Sequence, residues 1–181
     1  MEGTLSMSRK TINIAQIKVQ PHHLFYHQCP LLTSGSFSTG HFNTMTIGWG
    51  ALGTMWSRPF AFVAVRHSRF TYEFMEKYDS FTLSILPPEY REAINFLGTQ
   101  SGRDGDKIAA SGLTPEAAQV VPAPVYAEAE ITIECKIMYA NDLEPDKIPA
   151  DVLRKHYQDN DFHRIYYGEI VAVSAIAEYY Q

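Results

Sequence analysis

Residues 43–71, NTMTIGWGALGTMWSRPFAFVAVRHSRFT, decide how the rest of the chain is read. Met45, Thr46, Ile47 and Trp49 suit a pleated strand, yet Gly48, Gly50 and Gly53 interrupt it at short intervals. A glycine in a strand packs nothing and often marks a place where a ligand approaches the backbone. Thr54-Met55-Trp56-Ser57-Arg58-Pro59 makes a turn, with Pro59 keeping Arg58 out of the helical region. Phe60 to Val65 (FAFVAV) is apolar at every position, which predicts a strand covered on both faces. It ends in Arg66-His67-Ser68-Arg69-Phe70-Thr71. Two guanidinium groups and two hydroxyls at a strand end, just before a predicted helix, suit an anion. The bland alternative is a solvated strand end; the density of donors favours the anion site. A flat, backbone-lined, aromatic-flanked surface leading to an anion site is what a phosphorylated flat cofactor requires.

Outward from this stretch the pattern is one of strands. Ser80 to Leu86 alternates as a half-buried strand. Ala127, Ala129, Ile131, Ile133, Cys135 and Ile137 alternate with Glu128, Glu130, Thr132, Glu134 and Lys136, which predicts one buried and one wet face. Ile165 to Tyr179 reads as a long closing strand, with short candidates at Leu24–Tyr26, Leu31–Thr33 and Val120–Val121. Predicted helices are few and short: Thr71–Tyr78, Glu89–Leu97 and Pro149–Tyr157. Gly98 to Lys107 (GTQSGRDGDK) is a polar, glycine-rich loop. The expectation is a mainly β protein, a barrel with short helical decorations. The βαβα alternation of a doubly wound sheet is absent, as is any G-x-G-x-x-G after a strand.

Composition narrows the function further. The 181 residues suit one domain spanning 1–181, with the polar residues 1–11 expected to fray. A net charge of −5 gives no nucleic-acid footprint. No run approaches the ~18 apolar residues of a membrane helix. Cys29 and Cys135 form neither a disulfide framework nor a zinc signature, which fits a reducing cytoplasm. His22-His23-x-x-x-His27 has a metal-like spacing but lacks the intervening Glu and a clear helix, so it reads as a surface cluster, and no metal is expected. Of the tryptophans, only Trp56 is raised by its context above an ordinary packing aromatic.

Three motifs in order carry a resemblance: NTMTIGWGALGTMW followed by VAVRHSRFTYEFM, then GTQSGRDGDK, then DFHRIYYGEI. From about Leu31 to Ile170 the chain resembles the flavin reductase-like family with an FMN-binding split barrel, and within it the flavoredoxin branch. The resemblance implies a homodimer with one FMN per subunit and redox chemistry through the flavin. It places Asn43, Met45, Thr46, Thr54 and Trp56 along the isoalloxazine and ribityl chain, and Arg66, Ser68, Arg69 and Thr71 at the phosphate. Ser101, Gly102, Arg103, Asp106 and Lys107 would form a second loop over the same cofactor. His163 would lie near the ring or the substrate opening, a candidate proton relay with a structural hydrogen bond as the equal alternative. His67 departs from the family pattern, standing where many relatives have proline. The implied activity is an FMN-dependent oxidoreductase that passes electrons from NADH or NADPH through FMN to an acceptor. A flavoredoxin-like electron-transfer protein and a non-enzymatic FMN-binding module are the alternatives. By position, Arg66 and Arg69 at the end of a buried strand are expected to be held and desolvated, and Lys107 on its loop to be mobile and wet.

Overall fold

The computed structural model describes residues 8–181. The strands are β1 (Lys10–Ile12), β2 (Leu31–Ser36), β3 (His41–Thr46), β4 (Gly50–Met55), β5 (Arg58–Arg66), β6 (Ser80–Ile85), β7 (Pro115–Glu116), β8 (Val125–Tyr126), β9 (Ile131–Asp142) and β10 (His163–Ala175). The helices are short: α1 (Pro21–His23), α2 (Phe70–Lys77), α3 (Arg91–Thr99), α4 (Lys107–Ala110) and α5 (Ala150–His156). An 8-stranded sheet runs β3-β2-β6-β9-β10-β5-β4, with β1 added to β10. All its pairings are antiparallel.

The two edge strands of that path, β3 and β4, are neighbours in the chain, joined by Ile47, Gly48 and Trp49. The sheet therefore curls toward a barrel that stays open at this connector. Ile47 donates its amide to the Pro30 carbonyl at 3.0 Å, and the Trp49 carbonyl accepts from Ala64 at 3.2 Å. The expected glycine-punctuated strand is thus two strands with a hydrogen-bonded crossing between them.

The interior is apolar and close-packed. Phe81, Leu83, Ile85, Ile131, Ile133, Cys135, Val63, Val65 and Tyr166 fill the barrel, and Leu31, Leu86, Ile94, Leu97, Ile108 and Tyr126 form a second cluster. Each such side chain contributes about 1.5–3 kcal/mol on burial. Gly168 marks an irregularity in the β9–β10 register. A Cβ there would lie 2.6 Å from the Phe81 ring and 2.7 Å from the Cys135 Cβ.

Several expectations change. Strand β6 is buried at every position, because its polar face is covered and Thr82 donates to the Pro124 carbonyl at 2.5 Å. The supposedly wet face of β9 is also covered near its start. Buried Glu134 accepts the amides of Gln119, Val120 and Val121 at 2.8, 2.7 and 3.1 Å. Val120–Val121 is therefore irregular rather than a strand. Leu24–Gln28 is a π-helical turn, not a strand. Lys10 and Thr11, expected to fray, pair with Ala175 and Ser174; residues 1–7 lie outside the described residues.

Candidate functional site

Strand β5 leads directly into α2, and the start of α2 forms one wall of a groove. The groove is bounded by Asn43 and Met45 of β3, by Ser68–Thr71, and by the segment Leu97–Arg103 with Lys107. The first amides of a helix have no intrahelical partner and carry its positive dipole end. Buried Asn43 donates from Nδ2 to the Thr71 hydroxyl at 2.8 Å, fixing the helix start against the sheet. Gly102 lies against both: a Cβ there would stand 2.4 Å from Asn43 Oδ1 and 2.9 Å from the Phe70 ring. Only glycine lets the loop come this close.

The cations around the groove are held in different ways. Arg66 donates to the carbonyls of Asp161 and His156 at 2.8 and 2.7 Å, and lies 3.5 Å from Asp159 and 3.8 Å from Asp161. Arg103 donates to the Ser68 carbonyl at 3.0 Å and to Glu73 at 2.6 Å, with its guanidinium over the Phe70 ring. Both are neutralised by the protein's own carboxylates. Among the described residues, Arg69 and Lys107 have no carboxylate partner. Arg69 is exposed, with one long contact, 3.4 Å to the Gly98 carbonyl. Lys107 is only 7% exposed and donates to the carbonyls of Leu97 and Gln100 at 2.8 and 2.9 Å. The expectation from position is inverted: the arginine is wet and the lysine is pinned on the C-terminal carbonyls of α3. Burial, and then the field of Arg69, push the Lys107 amine down to about 8.

A second recess opens along the crossing between β3 and β4. It is bounded by Met45–Trp49, Ala64, Arg66, Arg69 and His163. Met45 and Arg69 belong to both recesses, which makes them one trough. Trp49 packs against His163 with ring centroids 4.6 Å apart and planes tilted by 34°, and meets Tyr157 edge-on. His163 stands opposite Arg66 in the β10–β5 register. Its Nδ1 is 2.9 Å from the Tyr157 hydroxyl. Burial, followed by Arg66, lowers the imidazole to about 4. At pH 7 it is a neutral imidazole, one ring nitrogen of which is engaged with the Tyr157 hydroxyl. A Cβ at Gly48 would meet the Phe25 carbonyl at 3.7 Å, an ordinary contact, whereas Gly50 and Gly53 make room for the chain's own Phe25 and Phe60 rings.

Of the residues expected at the cofactor, Asn43, Met45, Ser68, Arg69, Thr71, Ser101, Gly102, Arg103 and Lys107 meet in the groove, and Met45, Thr46, Arg66, Arg69 and His163 meet in the second recess. Two stand elsewhere, and Asp106 lines an adjoining recess that shares Asn43, Phe70, Gly102 and Lys107 with the groove. Thr54 and Trp56 sit at the β4–β5 hairpin tip, where Trp56 is 66% exposed and Trp56 and Ser57 have φ of 52° and 60°. The 9 residues of β5 separate that tip from Arg66, roughly 27 Å at strand rise. Asp106 caps α4, accepting the Ala109 amide at 3.0 Å. Trp49 replaces Trp56 as the aromatic at this site. Tyr157 and Asp161 line neither recess but support residues that do, Tyr157 bonded to His163 and Asp161 to Ser68; these contacts come from distant segments, so no local pattern marks them.

Comparison with known proteins agrees with this architecture. A structure described as an FMN-binding domain of a flavin reductases-like enzyme from Shewanella baltica OS155 matches at 18% identity, over 95% of this chain and 79% of that one, with a TM-score of 0.67. The flavoredoxin of Desulfovibrio vulgaris (Miyazaki F) matches at 21% identity, over 98% and 78%, with a TM-score of 0.64. An NADH:FAD oxidoreductase of Streptomyces globisporus matches at 15% identity, over 84% and 78%, with a TM-score of 0.62. At these identities the likeness is one of fold, and it is the expected open β-barrel with short helices. A search of curated proteins gives no match. The flavin reductase like domain model matches residues 23–180, nearly the whole chain. This protein belongs to the flavin reductase-like family.

Proposed function

We propose that the trough binds FMN and that the protein is an FMN-dependent oxidoreductase fed by NADH or NADPH. One observation carries the reading. A groove with two uncommitted cations and a helix start is continuous, through Met45 and Arg69, with a recess walled by backbone, Trp49 and neutral His163. Arg69, Lys107 and the first amides of α2 would hold the phosphate dianion. Met45, Thr46 and Gly48 would line the ring, with Trp49 flanking it. Bound FMN supplies the hydride and electron acceptance that side chains lack. The chain's own residues orient the cofactor and set the charge around it. Support for a nicotinamide donor comes from the Streptomyces neighbour, described as an NADH:FAD oxidoreductase.

Cys29 and Cys135 are free thiols, which suits a cytoplasmic protein; among the described residues no helix is long and apolar enough to cross a membrane. We also propose a homodimer. Thr54 and Trp56 lie too far from their own trough to touch its contents, Trp56 is 66% exposed, and two-fold dimers are the commonest homo-oligomers.

The absorbance spectrum of the purified protein, followed by calorimetric titration, tests the cofactor: FMN is expected to bind more tightly than riboflavin, and equal affinities reject the phosphate seat. Stopped-flow mixing with NADH and NADPH tests the donor. Failure of both nucleotides to reduce bound FMN leaves the electron-transfer reading in place of the reductase. Light scattering tests the dimer, which a monomer at micromolar concentration with FMN bound would exclude.

A further inference from the structure

Ser68 faces the groove, but its donors point elsewhere. Its hydroxyl donates to Asp161 Oδ2 at 2.5 Å and its amide to Asp161 Oδ1 at 3.2 Å. The same carboxylate lies 3.8 Å from Arg66, and its side chain is only 19% exposed. Asp161 thus receives a hydroxyl, an amide and the field of a guanidinium, the set of groups an anion would receive at this turn. A hydroxyl has one proton to donate. A carboxylate and a phosphate dianion both only accept, so Ser68 can serve one of them at a time.

We propose that Asp161 is an internal competitor for the anion seat, the residue that sets how strongly this site favours a phosphate monoester over the unphosphorylated ligand. The inference rests on reading the groove as a phosphate site. With Asp161 on Ser68, an arriving phosphate meets Arg69, Lys107 and the helix amides, but it also meets one fewer donor and a nearby negative charge. To gain Ser68 it must displace a carboxylate already there. The displaced segment is the one whose carbonyls at His156 and Asp161 hold Arg66; it also carries Tyr157, which is bonded to His163 in the wall of the second recess. The competitor is therefore tied to the wall at the other end of the trough.

Asp161→Asn keeps the shape and an acceptor for the Ser68 amide while removing the charge; Asp161→Ala removes both. The full-length chain and each variant are titrated by calorimetry with inorganic phosphate, FMN and riboflavin. Asp161→Asn is expected to bind phosphate and FMN about tenfold more tightly, with riboflavin unchanged. In the Ser68→Ala background that gain should shrink to about twofold, because the contested donor is gone. Unchanged or weaker phosphate and FMN binding overturns the inference. So does a parallel fall in FMN and riboflavin affinity, which would mean that Asp161 only holds the wall. If Asp161→Ala does not fold, the near-isosteric asparagine variant carries the test. The phosphate titration separates this inference from the cofactor reading. A wild-type chain that takes up neither flavin defeats the proposed function, while tighter phosphate binding by Asp161→Asn still supports the competitor. Phosphate binding absent from every form overturns it.

Discussion

The turn Arg66–Thr71 and the segment Ser101–Lys107 face the same groove and hold their cations in opposite ways. In the turn, the inner arginine, Arg66, is tied to two carbonyls and two carboxylates, and the outer one, Arg69, is left in solvent. Across the groove, the outer arginine, Arg103, is latched to Glu73, and the lysine at the far end is buried on two carbonyls with no countercharge. The difference teaches that a cation's availability follows from what already neutralises it. Carbonyl oxygens take two of the three Lys107 protons but do not cancel its charge, so a dianion arriving there meets a free donor and a desolvated positive charge in a low-dielectric setting. At Arg66 the charge is cancelled before any ligand arrives.

Lys107→Ala strikes the comparison hardest. FMN affinity should fall about ten- to a hundredfold, from the energy of a hydrogen bond to a charged group, with riboflavin changed far less in calorimetric titration. A loss of twofold or less for FMN would return the lysine to the minor, solvent-screened role that its position on a loop suggests. Arg66→Ala comes next. It frees the segment that carries His156 and Asp161, so FMN and riboflavin affinities should fall together by about tenfold. A selective loss of FMN would show that Arg66 serves the phosphate after all.

The pH dependence sharpens the contrast. Lys107 is held at about 8, below its ordinary 10.5, and a bound phosphate dianion would raise it again. Between those two values FMN binding requires proton uptake. Affinity should therefore fall about twofold from pH 7 to 8 and about fivefold more between pH 8 and 9, from proton linkage. Riboflavin affinity should not follow; a parallel fall assigns the titration to another group. The smallest effect belongs to Arg69→Ala. An exposed cation is worth less than about 1 kcal/mol, so FMN binding should weaken about threefold at physiological salt and hardly at all at 1 M. A larger loss that salt does not remove would mean that Arg69 folds inward when the ligand is present.

How much of this was legible in the sequence differs from place to place. FAFVAV read correctly as a strand, but its expected cover on both faces is incomplete: Ala61, Val63, Ala64 and Val65 are buried while Phe60 and Phe62 stay half-buried. The end of that strand read correctly as the start of a helix. The face of β9 that carries Glu134 did not, because a carboxylate satisfied by three amides from a distant segment leaves no mark in its own alternation. Trp56 looked more like a ligand aromatic than Trp49. Both sit among glycines, and only the strand pairing puts one at the trough and the other at a hairpin tip.

By itself the sequence determined the class of fold, the family, and most of the residue types that line the trough. These are local properties: strand periodicity, helix starts, and glycines where backbones come close. The tertiary structure alone decided which cations remain available. It brought Asp159 and Asp161 to Arg66 and Ser68, laid Lys107 over the end of α3, and set His163 beside Arg66 in a buried wall. The physical reason is that charge neutralisation and desolvation depend on neighbours in space. Here those neighbours come from segments far apart in the chain, and antiparallel pairing of β10 with β5 brings them together.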